Sequence, residues 1–150
     1  MKTSLLPQWV VFTALLTLFT SSQAAEKGHH SEVLDHLVAI QASLAEDSIE
    51  HVAHHATAVA EAAHSVEGLP HEAAEQAQAV AKATDLKAAR EAFKKLSATF
   101  VAHLKAHPGH GDTYRTAYCP MAKAGWIQKG DEIANPYYGS SMLRCGSFED

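Results

Sequence analysis

Residues 86–107 read LKAAREAFKKLSATFVAHLKAH, with Leu86, Ala89, Phe93, Leu96, Phe100 and Leu104 recurring every three or four positions. That interval lays all six on one stripe of a 3.6-residue helix. Thr84-Asp85 stands where an N-cap is needed, and Pro108-Gly109 stops the helix. Working backward, Ala73, Ala77 and Val80 mark a shorter, alanine-rich helix, and Gly68-Leu69-Pro70 separates it from the one before. Ile49, Val52, Ala56, Val59, Ala63 and Val66 form another stripe, and Val33, Leu37, Ile40 and Leu44 the first. Asp47 and Glu50 are spaced as a capping box that would open the second helix.

Four amphipathic segments with short joints predict a mainly α fold, an antiparallel four-helix bundle over residues 31–108. Alanine-rich faces allow close helix approach but leave a thin core, which a covalent staple or a metal would reinforce. Beyond residue 108 the helical period is lost. Gly, Pro, Tyr and both Cys residues gather in 109–150, and Asn135-Pro136-Tyr137-Tyr138-Gly139 is strong turn chemistry. The expectation is an irregular Cys/Met-containing tail, part of the same domain and packed on the bundle, because a free loop of that length is unusual in a compact domain. Trp126 is read as a plug holding the tail on the helices rather than as a ring facing a metal.

At the other end, MKTSLLPQWVVFTALLTLFTSSQAA has a basic Lys2, an apolar run from Val10 to Phe19, and small residues at Ser22 and Ala24. This predicts a cleavable signal peptide over 1–24, a flexible stretch over 25–30 and export from the cytoplasm. The apolar run is shorter than the roughly 20 residues of a membrane span, and no later run is longer. No membrane insertion is expected after cleavage. The formal net charge of −5 becomes one unit more negative once Lys2 is gone, which argues against nucleic acid as a partner.

Loss of Met1 leaves two methionines, Met121 two residues after Cys119 and Met142 three residues before Cys145. If the loop between the arms closes, two thiols and two thioethers converge. These soft donors suit Cu(I), with silver and zinc as the other candidates, although zinc gains little from thioether. Pro120 restrains the backbone between Cys119 and Met121. The competing reading is a Cys119–Cys145 disulfide, the usual state of paired cysteines in exported proteins. It would contribute about 3–4 kcal/mol in the chain-entropy model.

The chain holds 11 His. His51 and His55 are one helical turn apart, a chelating spacing. His103, His107 and His110 lead from the last helix toward Cys119. Each has the plainer reading of a solvated helix face or of a cation at a helix C-terminus; as a set they suggest weak capacity for Cu(II), zinc or nickel. No haem-attachment, zinc-protease, nucleophile-elbow or phosphate-loop pattern occurs. The motifs point to a non-enzymatic protein.

Tyr118-Cys119-Pro120-Met121-Ala122, Trp126-Ile127-Gln128, Asn135 to Gly139, Met142-Leu143 and Cys145-Gly146 together resemble the signature of a bacterial domain family of unknown function. That family is often found at the C-terminal end of periplasmic adaptor subunits of copper/silver efflux pumps. The stretch 40–47 and Arg90, Phe93, Leu96 and Ser97 resemble its helical part. The resemblance implies a helical bundle with a Cys/Met tail in the periplasm, and Cys119, Met121, Met142 and Cys145 as copper ligands. It suggests an efflux or copper-handling protein as partner. Here the domain is expected to stand alone behind its own signal, and the family lends the histidines no role. The expected function is copper carriage or buffering, or else a disulfide-stapled module that docks on an efflux component.

Overall fold

The computed structural model describes the backbone of residues 18–108 and 113–149, with side chains from His30 onward. Four α-helices come first: α1 Leu18–Ala45, α2 Val52–Ala62, α3 Glu72–Ala81 and α4 Leu86–Ala106. Three short strands follow, β1 Arg115–Cys119, β2 Ala124–Gln128 and β3 Ser147–Phe148. Among the described residues, no helix is long and apolar enough to cross a membrane. Residues 1–17 of the expected signal peptide lie outside the described residues. Residues 18–24, and the stretch 25–30 expected to be flexible, belong to α1.

The apolar stripes are largely where the spacing puts them, except that Ile49, expected to begin the second, is 38% exposed and precedes α2, and that Leu86 and Leu104 are only partly buried. Val33, Leu37, Ile40 and Leu44 are fully buried in α1, as are Ala89, Phe93, Leu96 and Phe100 in α4. Asp85 caps α4, its carboxylate accepting from the Ala88 N–H at 2.9 Å. The second helix departs from expectation. His51 precedes it with a left-handed φ of 63° and no side-chain cap, and the Glu50 N–H is taken by the Ser48 hydroxyl. Asp47, placed in a capping box by its spacing, sits at φ 57° with its carboxylate turned to Arg90 and the Ser140 N–H. Tertiary partners outcompete the local cap.

The four-helix bundle is not what forms. The helices pack in succession, α1 on α2, α2 on α3 and α3 on α4, but α1 and α4 meet only sparsely. Strand β2 lies against both and takes the place of that fourth helix interface. The tail is correspondingly not irregular. It builds a three-stranded antiparallel sheet in the order β2-β1-β3. In this sheet Cys119 pairs with Ala124, Thr116 with Ile127, and Tyr118 with Ser147.

Two physical reasons account for the change. Alanine stripes on α2 and α3 supply little volume, so the largest fully buried side chain is Trp126 of β2, joined in one core by Phe93, Phe100, Leu34 and Ile127. Each such large apolar group contributes about 1.5–3 kcal/mol when removed from water, so the core favours the sheet's side chains over a direct α1–α4 contact. The strands are also at most five residues long, too short for alternation to be distinguished from loop. Their hairpin turn, Pro120 to Lys123, closes through the Lys123 N–H on the Pro120 carbonyl, with Lys123 left-handed at φ 50°.

Candidate functional site

Strand β1 ends in Cys119 and the last turn before β3 holds Cys145, so β1–β3 pairing brings the two cysteines together. Their Sγ atoms are 2.8 Å apart, a thiol–thiol contact outside the 2.03–2.05 Å of a disulfide bond. Cys119 is fully buried and Cys145 half-buried. Burial by itself would push the Cys119 thiol up. The Cys145 S–H, the N–H groups of Ala122 and Met121, and the Asn135 side chain outweigh it and hold Cys119 below the ordinary thiol value. Cys145 moves the other way, raised first by its bond to Cys119 and then by burial. The pair therefore favours one thiolate, at Cys119, with Cys145 as its donor.

The two methionines lie on the surface beside this pair. Met121 is 63% exposed and Met142 37% exposed. The Cys145 N–H bonds back to the Met142 carbonyl at 2.9 Å, which closes a tight turn between those residues. Met121 also borders a small cavity of about 210 Å³ with Arg90, Lys94, Tyr137 and Tyr138. Met121 thus lies in the turn that follows β1 and Met142 in the turn that precedes β3, both more exposed than the buried Cys119.

Several residues that organise the site, among them Asn135, Gln128 and Arg90 of the resemblance above, carry no metal-ligand or catalytic motif of their own. Asn135 is fully buried and donates to the Cys145 carbonyl at 2.7 Å, while its Oδ1 accepts from the Tyr137 N–H. Gln128 accepts from both the Trp126 indole N–H and the Ala134 N–H, and donates to the Glu132 carbonyl. Gln41 of α1 donates to the Ala134 carbonyl, and Arg90 of α4 to the carbonyls of Pro136 and Leu44. These side chains satisfy backbone groups of the 132–136 segment as it descends from the exposed Glu132 to the buried Asn135 and Pro136. The Asn135-Pro136 turn signal marked the place but not the role.

Most of the described histidines fall into two groups, with His64 and His71 a separate pair whose rings are 6.3 Å apart. His103 is buried, its ring 5.0 Å from that of His30 and 4.4 Å from that of His107. The His107 Nδ1 is 3.0 Å from the His103 carbonyl, which makes it the protonated nitrogen. His110 lies outside the described residues. On α2, His55 faces His36 of α1, with His54 beside it and His51 at the start of the helix. Burial first, then the nearby His36, His54 and His51, lowers the His55 pKa. Among the described residues, no three His, Cys, Asp or Glu side chains are gathered as a ready metal cage.

The chain matches no family model, no curated protein and no solved structure. Its chemistry is therefore argued from its own residues. A buried thiolate next to a thiol can bind a soft cation, or lose two electrons to a disulfide. The same two sulfurs cannot do both at once.

Proposed function

We propose that this chain is an exported metal-handling protein that carries or buffers Cu(I) in the periplasm, bound through Cys119 and Cys145 with Met121 and Met142 as further donors. The observation that supports it is the pair of adjacent thiols, with Cys119 inclined to ionise, and with the exposed Met121 and Met142 two and three residues from them in the chain. Soft thiolate and thioether donors suit Cu(I), and silver by the same chemistry. Metal loading displaces the thiol protons, so affinity should rise with pH. The likeness of residues 118–146 to the tail domain of copper/silver efflux adaptors agrees with this reading. The test is Cu(I) titration of the reduced protein beside a Cys119→Ala/Cys145→Ala variant. Tight binding that depends on both cysteines supports the proposal, and equal binding by both proteins sinks it.

A second reading is favoured by one distance. Two sulfurs sharing one ion in tetrahedral geometry, with bonds of about 2.3 Å, stand about 3.8 Å apart, whereas these are 2.8 Å apart. Metal binding therefore requires the arms to part by about 1 Å, and disulfide formation requires them to close slightly. In this reading Cys119–Cys145 is a staple, and the module docks on an efflux component without tight metal binding. Native and denatured intact mass of protein taken from the periplasm separates the two. Bound copper adds mass only under native conditions, whereas a disulfide removes two hydrogens under both.

A further inference from the structure

The second group of histidines joins two helices rather than decorating one. His36 of α1 and His55 of α2 are 19 positions apart in sequence, yet their Nδ1 atoms approach to 2.9 Å in a partly buried setting. Their rings are 5.2 Å apart and inclined at 41°. Two neutral imidazole nitrogens at that distance share a single proton, one donating and the other accepting. The fixed element is the pair of lone-pair positions facing each other across the α1–α2 contact. His54 flanks it, with its ring 5.2 Å from that of His55, and His51 adds a further exposed imidazole one turn back.

We propose that His36 and His55 form a second metal site, for a tetragonal divalent cation, Cu(II) above Ni(II), which binds to one side of the line between the two nitrogens and releases their shared proton to solvent. The distance between the nitrogens bears on which geometry needs the smaller rearrangement. With metal–nitrogen bonds of about 2.0–2.1 Å, two ligands at a right angle are about 2.9 Å apart, and two tetrahedral ligands about 3.3–3.4 Å. The rings now face each other across a hydrogen bond, so they must turn toward a common point to hold an ion; the right-angled pair of Cu(II) or Ni(II) then needs no change in the 2.9 Å between the nitrogens, and Cu(II) leads the affinity order for nitrogen ligands. The remaining positions fall to water and to His54 or His51 after a side-chain rotation. This site is independent of the cysteines and differs from theirs in ligand type and in the copper oxidation state it favours. A protein holding both would accept copper in either state outside the cytoplasm.

The experiment is Cu(II) titration of the full protein with its cysteines oxidised to the disulfide, followed by electron paramagnetic resonance and competition with a chelator. His36→Gln and His55→Gln are measured beside His64→Gln as control. Expected is one tetragonal site with imidazole nitrogens, weakened at least ten-fold by either His36→Gln or His55→Gln. The double variant should lose less than the two single effects combined, because the two residues serve one site, and His64→Gln should bind as the parent does. Wild-type affinity and spectrum in either single variant, with helical circular dichroism intact, overturns the proposal. If a variant loses its helical signal, the unaltered protein decides. Substoichiometric Cu(II) should broaden the His36 and His55 ring resonances before those of the other histidines, and broadening that spares these two overturns it.

Discussion

At Cys119 the balance between burial and hydrogen bonding decides which sulfur ionises. Burial opposes the thiolate, but the Cys145 S–H and three further donors favour it more strongly. Replacing Cys145 by Ala removes the first of those donors, so the Cys119 pKa should rise. Thiolate absorbance near 240 nm followed against pH reads this directly, and an unchanged midpoint would contradict the assignment. Asp47 offers a second test. Bonds from Ser140, then from Arg90, hold its carboxyl at about 2 against an ordinary 3.8. The folded state thus binds that proton less readily than the unfolded chain. Its contribution is complete above about pH 4 and is lost as the pH falls toward 2. Acid unfolding followed by circular dichroism should show a loss over that window, and Asp47→Asn should flatten it.

Among the elements, α4 is a locally specified helix and the loop between α1 and α2 is not. The Asp85 cap is used as its spacing implies, and Asp85→Ala should lower stability by about 1 kcal/mol in urea unfolding. The turn at Gly139–Ser141 depends on a distant partner instead. Gly139 has φ 53°, and a Cβ there would run into the Asp47 carboxylate and the Arg90 guanidinium. Gly139→Ala should therefore cost more than Asp85→Ala, by the same urea measurement, since it combines strain with loss of the Asp47–Arg90 latch. An equal or smaller cost would mean that the latch yields. The stripes of the four helices were legible in sequence because burial imposes a repeating interval, and Ile49 fell outside its helix because the chain turns left-handed at His51 before α2 begins. Asp47 was misread because a cap and a long-range ion pair use the same carboxylate, and spacing alone cannot rank them.

For the molecule as a whole, the sheet closes what the helices leave open. Trp126 is fully buried between β2 and the helices, with its indole N–H held by Gln128. Trp126→Ala should cost about 3–5 kcal/mol, with near-ultraviolet dichroism lost before the helical signal if the sheet detaches first. Gly146 shows how tight the closure is, since a Cβ there would stand 2.7 Å from the Trp126 ring and 2.9 Å from the Tyr118 carbonyl. The sulfur pair belongs to this scale. Cys119 and Cys145 meet because β3 pairs with β1, so any change that frees β3 should weaken both the disulfide and metal binding.

Local sequence alone was enough to place the four helical segments, most of the buried stripe of each, the Asp85 cap, and Met121 and Met142 within three residues of a cysteine. These are local patterns, set by helix period, capping chemistry and neighbour identity, and they survive without knowledge of the fold. Only the tertiary structure decided that α1 and α4 are separated by a strand, that the tail is a sheet, and that Asn135, Gln128 and Arg90 hold it. The meeting of His36 with His55 is of the same kind, as are the 2.8 Å between the two sulfurs. Strands this short gain their stability from partners distant in sequence, and a contact across 19 or 26 residues leaves no periodic trace in the chain.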